Sequence, residues 1–360
     1  MISHPAQPPD SSRRRWLRAG AAFALGALLA PPAGAQPEPE AAEGDSWPAD
    51  ALEALVERIA RRNGLAPGLV RTLIGQGQYS ATVARLILPG PPQRRNWTVY
   101  RSRFLDPLRI GAGGDFVQEF GVWLDRAQRR FGVPPHVVAG ILGVETIYGR
   151  HMGSFRVIDS LSTLALRYPA QAPRDRSGYF GTQLGDFLQW CAHDLRDPLA
   201  VRGSYAGAIG MPQFMPGNIL RYAVDFDGGG TIDLIGDPAD AIGSVASFLA
   251  AKGWTPGQPT HFPLQMPSDL PQATLDILLA PDITPTFSAA QLRAAGLPLL
   301  PRAQAYPGRL AVVQLPNADA APDYVLGTDN FYVVTRYNAS AFYALAVIEL
   351  GEAVAATARG

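Results

Sequence analysis

The sequence predicts a mainly α-helical (α+β) protein with one small strand-containing part. Apolar residues recur at helical spacing over most of the chain, as in Leu55, Val56 and Ile59. The stretch from residue 255 to about residue 330 differs, because it is rich in proline and contains the β-branched, apolar run Leu310 to Leu315. With 360 residues, of which 47% are hydrophobic, the chain is long enough to bury sizeable cores.

Charge and cysteine content exclude several classes of function. Basic and acidic side chains are equal at 31 each, so no net field draws the molecule to nucleic acid, and we predict no nucleic-acid partner. The single cysteine, Cys191, excludes an intramolecular disulfide and a thiolate metal cluster.

Residues 1–35 have the pattern of an export signal. Arginines precede an apolar run from Ala19 to Ala30, and small residues end the segment at Ala33-Gly34-Ala35. We predict a disordered leader over residues 36–48, which are rich in Pro, Glu and Ala. Ser12 to Arg18 resembles a twin-arginine motif, so twin-arginine export and ordinary Sec export both stay open.

The predicted signal also bears on location. Its apolar run is too short for a permanent membrane span, and no cysteine near the cleavage point offers a site for lipid attachment. We therefore expect a soluble protein in the periplasm. We also expect it to be a monomer.

Beyond the leader, the predicted elements divide the chain into four parts. Residues 49–130 form an N-terminal helical part, with two short helices before residue 88 and a longer one from Asp115 to Arg130. Residues 131–254 form a core that begins at the helix break Gly132-Val133-Pro134-Pro135. The predicted helices of this core are Pro134 to Tyr148, Tyr179 to Leu195 and Asp237 to Lys252.

The last two parts complete the chain. Residues 255–330 form the strand-containing subdomain. Residues 331–360 contain a second β-branched run, Phe331 to Thr335, which predicts a strand, and a helix from Asn338 to Ala356. We expect this C-terminal strand and helix to close the core.

Glu145 is the first candidate for catalysis. It follows an almost wholly apolar helical run, Val137 to Val144. Apolar surroundings raise the pKa of a glutamate and keep it protonated near neutrality, which is the state of a general acid. From this helix alone, a surface ion pair with Arg150 or another cation is the simpler interpretation, and it stays open.

A second candidate region is the glycine-rich stretch Gly203 to Pro216. Small residues allow a ligand to approach the backbone closely, with Ser204 and Gln213 as polar donors and Tyr205 and Phe214 as flat apolar faces. A purely structural turn would have the same composition.

Several motifs in the same order resemble the lytic murein transglycosylase B family. The resemblance covers roughly residues 50–355. It rests on Gly143-Val144-Glu145-Thr146 with Tyr148-Gly149-Arg150, the Ser204 to Pro216 stretch, Tyr222 to Gly228, Asp237 to Ala246 and Phe331 to Ser340.

The resemblance implies a fold and a set of site residues. The expected fold is a lysozyme-like helical catalytic core with a glycan groove, a helical alpha domain and a small strand-containing insertion. Glu145 corresponds to the catalytic carboxylate, while Ser204 and Gln213 correspond to groove residues that bind sugars. The aromatic residues expected to line the groove are Tyr100, Phe104, Tyr179, Tyr205, Phe248, Tyr337 and Tyr343. For each of them, simple packing is the open alternative.

The reaction implied by the resemblance needs one carboxylate. Glu145 would protonate the oxygen between N-acetylmuramic acid and N-acetylglucosamine, while the substrate acetamido group, oriented by Ser204, stabilises the cationic centre. Glu145 would then deprotonate the C6 hydroxyl, which closes a 1,6-anhydro ring. A hydrolysing muramidase and a non-catalytic glycan-binding protein remain the alternatives.

An Asp/Gly-rich loop over residues 225–240 predicts a calcium site in part. Asp225, Asp227 and Asp233 occupy positions one, three and nine of an EF-hand-type loop, and the resemblance adds Asp240 as the last ligand. Position five is Gly229, which lacks a side-chain oxygen, so a metal-free turn stays open. Any calcium would be structural, and we expect no cofactor in catalysis.

The expected partners are peptidoglycan glycan strands and, beyond them, cell-wall synthesis proteins. Some relatives carry two arginines after the Tyr-Pro pair at residues 168–169, where this chain has Ala170-Gln171. Arg174 and Arg176 lie close by in sequence and offer guanidinium groups that can pair with a carboxylate instead.

Overall fold

The structure is a computed structural model that describes residues 47–90 and 94–357. The predicted export signal therefore lies outside the described residues, as does the leader up to residue 46. The end of the leader was predicted wrongly, because Trp47 is buried and its indole N–H donates to the Ile74 carbonyl at 2.9 Å. An aromatic anchor of this kind fixes the chain just before the first helix.

The described residues form fifteen helices and five short strands, which confirms the mainly helical fold class. The helices are α1 (Ala49–Asn63), α2 (Pro67–Gly75), α3 (Ala81–Leu86), α4 (Trp97–Ser102), α5 (Pro107–Phe131), α6 (Pro135–Thr146), α7 (Val157–Leu166), α8 (Ser177–His193), α9 (Pro216–Tyr222), α10 (Pro238–Ala251), α11 (Gln272–Leu279), α12 (Ala289–Ala294), α13 (Pro301–Gln304), α14 (Asp329–Val334) and α15 (Ala341–Thr357). The strands are β1 (Phe155–Arg156), β2 (Arg202–Gly203), β3 (His261–Leu264), β4 (Ala311–Asn317) and β5 (Ala320–Gly327). Within the described ranges, no helix combines the length and apolar character needed to cross a lipid bilayer.

Helices α6 and α15 pack against each other at the centre of the larger hydrophobic core. Two glycines allow their close approach: a Cβ at Gly140 would lie 2.1 Å from the Val347 carbonyl oxygen, and one at Gly351 would lie 2.0 Å from that of His136. Both helices are apolar on nearly all sides, as expected for helices surrounded by others. This pair holds the end of α6, and thus Glu145, in a fixed position.

Local signals explain the ends of α5. Asp106 caps its first turn by accepting from the Arg109 N–H at 3.0 Å, and Gly132 ends it with a left-handed φ of 73°. The helix begins before the predicted Asp115 and bends at Phe120, whose φ and ψ are −107° and 16°.

The strand-containing part has its own small core. β5 lies in the centre of a three-stranded antiparallel sheet of order β3-β5-β4, in which Val313 pairs with Val325 and Phe262 with Leu326. A second hydrophobic cluster lies on this sheet and is separate from the larger core. The strand predicted from the run at residues 310–315 is confirmed as β4.

Two predictions of secondary structure were wrong. Residues 331–335, predicted as a strand, belong mostly to α14, because the Thr328 side chain accepts from the N–H groups of Asn330 and Phe331 and caps a helix there. The segment before residue 88 contains three helices, not two, since Ser80 caps an additional one by accepting from the Val83 N–H.

Candidate active site

Glu145 lies at the penultimate position of α6 and is half-buried. The Tyr343 hydroxyl, from α15, donates to its Oε1 at 2.6 Å. Burial raises the pKa of Glu145 to about 7, and the bond from Tyr343 acts in the opposite direction. Arg150 is exposed, and the side-chain partner of Glu145 is Tyr343. The surface ion pair between Glu145 and Arg150, considered from the sequence, is therefore not formed.

Glu145 is followed by an unusual backbone turn. Ile147, Tyr148 and Gly149 have consecutive positive φ values of 51°, 56° and 88°. The left-handed region is costly for residues with side chains, and more so for a β-branched one, so surrounding contacts must hold the turn. Thr146 supplies two of them: its Oγ1 donates to the Met211 carbonyl at 2.9 Å and accepts from the Gly149 N–H at 3.0 Å.

The ring of Tyr148 fills a slot between α5 and α6. A Cβ at Gly113 would lie 2.4 Å from the Tyr148 hydroxyl oxygen, and one at Gly143 would lie 2.5 Å from it. The ring packs on Phe116 at 5.1 Å, and the hydroxyl is buried without a hydrogen-bond partner among the described residues. Two glycines and one tyrosine therefore anchor the turn that directly follows Glu145.

Ser204 and Gln213 form part of the loop that Thr146 contacts. Ser204 is buried, and its Oγ accepts from the Ala208 N–H at 3.0 Å. The Gln213 side-chain amide donates to the carbonyl oxygens of Met152 at 3.0 Å and Gly210 at 2.9 Å. Both N–H groups of this amide therefore serve the backbone, and Oε1 remains as an acceptor. A direct role of Gln213 in sugar binding stays a prediction.

Three tyrosines surround the carboxylate of Glu145. Tyr343 and Tyr337 stack with centroids 6.3 Å apart and an interplanar angle of 14°, and the Tyr337 hydroxyl donates to the Pro212 carbonyl. Burial, together with the charge of Glu145, raises the pKa of Tyr100, Tyr337 and Tyr343. Among the described residues, Glu145 is the one carboxylate whose charge contributes to the pKa of all three rings.

The aromatic residues predicted to line the groove fall into two groups by the exposure of their side chains. Four of its members are buried within the core: Phe104, Tyr205, Phe248 and Tyr343. A buried ring offers no face for sugar stacking, so these four pack or position other groups. Tyr100 and Tyr337 are half-buried and Tyr179 is 40% exposed, so these three rings present surface to a ligand.

The acidic loop brings together three of the four predicted metal ligands. Carboxylate oxygens of Asp225, Asp227 and Asp240 all lie within 4.8 Å of one another. Asp233 is not part of this group, because its Oδ1 accepts from the Ile235 N–H and lies 3.6 Å from a guanidinium nitrogen of Arg196. Asp240 is fully buried, and burial raises its pKa despite bonds from two backbone N–H groups.

The chain is similar to known proteins over most of its length. A family model for the transglycosylase SLT domain matches residues 48–352. The chain is 37% identical over 320 residues to membrane-bound lytic murein transglycosylase B of Escherichia coli (strain K12). The aligned region covers 84% of this chain and 82% of that relative. The chain belongs to the transglycosylase SLT-domain family.

Solved structures of SLT-domain enzymes share this fold. The Escherichia coli lytic transglycosylase Slt35 in complex with calcium matches with a TM-score of 0.74 and 34% identity, over 86% of this chain and 94% of that one. SltB3 from Pseudomonas aeruginosa in complex with NAG-anhNAM-pentapeptide matches with a TM-score of 0.71 and 28% identity, over 86% of this chain and 80% of that one. The chain is thus an enzyme of the lytic murein transglycosylase class, and its fold is lysozyme-like.

Two residues that hold the turn after Glu145 in this SLT-domain site were not predicted from the sequence. Thr146 and Tyr148 lie within the motif that carries the resemblance, but their functions depend on contacts with Met211, Gly113 and Gly143. The sequence did contain one indication of these contacts, namely Gly113 and Gly143 at helical positions. A glycine inside a helix lowers its stability, so its presence there indicates close packing against another group.

Proposed function

We propose that this enzyme cleaves the β-1,4 bond between N-acetylmuramic acid and N-acetylglucosamine in peptidoglycan and leaves 1,6-anhydromuramoyl ends. The observation that carries the proposal is Glu145 itself, a half-buried carboxylate with a pKa of about 7 that accepts a hydrogen bond from Tyr343. In the part of the chain that the structure describes, no other carboxylate contributes to the raised pKa of the three surrounding tyrosines. A glycosidase with two carboxylates would need a second one about 5 to 10 Å away. One carboxylate suits a reaction in which the substrate supplies the nucleophile.

In the first step, Glu145 acts as the acid. With a pKa of about 7, a substantial fraction of the side chain is protonated near neutral pH, so a proton is available for the glycosidic oxygen. The bond from C1 to that oxygen breaks as the oxygen gains the proton. The acetamido oxygen of the muramoyl residue stabilises the positive charge at C1, and Glu145 is left as a carboxylate.

In the second step, Glu145 acts as the base. The C6 hydroxyl of the same sugar attacks C1, its proton passes to Glu145, and the enzyme returns to its initial state without consuming water. The Tyr343 hydroxyl stabilises the carboxylate between the two steps, because it donates to Oε1. Ser204 contributes to positioning, since its hydroxyl hydrogen is not used by the Ala208 N–H bond and can orient the acetamido group.

The relatives support the same chemistry. SltB3 binds NAG-anhNAM-pentapeptide, which contains the anhydro sugar that the proposed reaction would form. The sequence pattern of residues 1–35 supports a periplasmic location, where peptidoglycan lies. We further propose that the enzyme acts as a monomer and meets cell-wall synthesis proteins there.

We also propose a structural Ca²⁺ held by Asp225, Asp227 and Asp240. Their oxygens converge, and the charges of Asp227 and Asp237 contribute to the raised pKa of Asp240, which a cation would offset. A calcium complex of Slt35 supports this assignment. Calcium would stabilise the loop and take no part in the reaction.

The variant Glu145→Gln tests the proposed function. The amide keeps the shape of the side chain but cannot donate and then accept the proton, so we expect cleavage of purified sacculi to fall by at least about 1000-fold. Binding of the variant to sacculi in a pull-down should stay within a few-fold of the wild type. A variant that retains most of its cleavage activity would refute the catalytic role of Glu145.

A further inference from the structure

Lys252 is the single lysine in a chain with 31 basic residues, and it has an unusual environment. It directly follows α10 and is half-buried. Its Nζ donates to the Tyr222 hydroxyl at 2.8 Å and lies 4.7 Å from the centroid of that ring and 5.3 Å from that of Phe248. Within the described ranges, no carboxylate forms an ion pair with this ammonium group. An ammonium has three N–H donors, so two remain for a ligand or for water.

A second cation stands beside the same ring. Arg221 is exposed, and its Cζ lies 5.9 Å from the centroid of Tyr222. The bond from Lys252 and the charges of Lys252 and Arg221 lower the pKa of Tyr222. Arg221 also acts on Tyr179, where it opposes the rise in pKa that burial causes. Arg221 therefore faces both tyrosines.

One carboxylate, that of Asp186, approaches Arg221, but it forms its ion pair with Arg62, and no ion pair joins it to Arg221 among the described residues. A Cβ at Gly217 would lie 2.7 Å from Asp186 Oδ2 and 2.9 Å from Arg221 Nη2, so these two side chains face the same end of α9. Asp186 is buried, and its Oδ1 accepts from Arg62 at 2.8 Å and Asn63 at 3.1 Å. The surface formed by Arg221, Tyr222 and Lys252 thus keeps positive charge available, and we call it the cationic patch.

Ring contacts connect the cationic patch with the carboxylate of Glu145. Tyr222 meets Phe248 edge-on at 5.2 Å, and Phe248 meets Tyr337 at 5.0 Å. Tyr337 stacks on Tyr343 at 6.3 Å, and Tyr343 bonds Glu145. Three ring-to-ring distances of 5.0 to 6.3 Å thus separate Tyr222 from Tyr343, so the cationic patch lies within a few sugar lengths of the cleavage point.

We propose that the cationic patch is a subsite for a carboxylate of the peptide stems on peptidoglycan. This inference rests on the proposed function, because it assumes that peptidoglycan is the substrate. In a peptide-bearing strand the lactyl carboxyl of each N-acetylmuramic acid is amide-linked to its stem, so the free carboxylates of that strand belong to its peptides. An ammonium and a guanidinium on either side of a carboxylate form charge-assisted hydrogen bonds, and the half-exposed ring of Tyr222 covers the apolar part of the stem.

Two substrates separate this subsite from the cleavage site. One is a peptide-bearing glycan strand. The other is the same strand after an amidase has removed its peptides and the lactyl carboxyls freed in this way have been capped as methylamides, so that it carries no carboxylate. We expect the ratio of kcat/KM for the first substrate to that for the second to fall about 3- to 10-fold in Lys252→Met and in Arg221→Met, since a partly exposed charged contact contributes about 1 kcal/mol. Lys252→Arg should keep most of the ratio because it keeps the charge. Arg293→Met removes an exposed arginine on α12, in the strand-containing part, and should leave the ratio as in the wild type.

The outcomes are distinct for the subsite and for the proposed function. A ratio that is unchanged in both methionine variants, or equal losses on the two substrates, would overturn the subsite. A wild-type enzyme that cleaves both strands equally well would overturn it too, and the proposed function would stand. A wild-type enzyme that cleaves neither strand contradicts the proposed function instead. Should Lys252→Met fail to fold, Tyr222→Phe keeps the ring, releases the ammonium, and should lower the ratio by a smaller factor.

Discussion

Removal of the Tyr343 hydroxyl should move the pKa of Glu145 upward. The hydroxyl donates to Oε1 at 2.6 Å and holds the pKa below the value that burial alone would give. A hydrogen bond to a charged group contributes about 1.5 to 3 kcal/mol, and one pKa unit corresponds to about 1.4 kcal/mol. In Tyr343→Phe we therefore expect the pKa of Glu145 to rise from about 7 to roughly 8 or 9.

The pH dependence of kcat/KM measures this change, because it reports the pKa values of essential groups in the free enzyme. The limb assigned to Glu145 should shift toward higher pH by one to two units in Tyr343→Phe. The neighbouring variant Tyr337→Phe is the matched control, since the Tyr337 hydroxyl donates to the Pro212 carbonyl and not to Glu145. A limb that stays in place, or one that moves to lower pH, would refute the reasoning.

Three further changes give distinct expectations. Gly143→Ala would bring a Cβ to 2.5 Å from the Tyr148 hydroxyl oxygen, so kcat should fall about tenfold or more and the melting temperature should drop. Gly111→Ala, which has nothing within 4 Å inside α5, should leave kcat unchanged and keep or slightly raise the melting temperature, and equal behaviour of the two variants in calorimetry and sacculus assays would contradict the role of Gly143 in anchoring Tyr148. Asp240→Asn should lower the melting temperature and abolish any increase in melting temperature caused by added calcium. A calcium-dependent increase that persists in this variant would argue against the proposed ligand set. Because burial raises the pKa of Glu145 to about 7, above the ordinary range of a glutamate, the wild type should lose about 2 to 3 kcal/mol of folding free energy between pH 4.5 and pH 8. Glu145→Gln has no such titration, so urea unfolding at both pH values should show that the variant gains this amount relative to the wild type, and an equal pH dependence of the two proteins would contradict the raised pKa.

Much of the helical framework could be predicted from the sequence, because local signals and global packing agree there. The apolar run of α6, the glycine after α5 and the Asp-Pro start of α10 each have one strong interpretation, and the structure has helices at all three places. The run at residues 331–335 was misread because β-branched residues favour strands in general, whereas here the Thr328 cap and burial against the core favour a helix.

The site could be predicted in part for a similar reason. Glu145 stood out because a carboxylate at the end of an apolar run is rare, but its partner Tyr343 lies 198 residues away in sequence. No local pattern specifies which aromatic ring will reach it. The burial of Phe104 and Phe248 was equally hidden, since a ring that stacks on a sugar and a ring that fills a core have the same composition.

The most direct test of the account is a digestion of sacculi in water enriched in heavy oxygen, followed by mass spectrometry of the released muropeptides. If Glu145 acts as acid and then base and the C6 hydroxyl is the nucleophile, the muramoyl ends will be 1,6-anhydro sugars without heavy oxygen, and Glu145→Gln will release almost none. Reducing muramoyl ends that carry heavy oxygen would show that water attacks C1, and they would contradict the proposed mechanism.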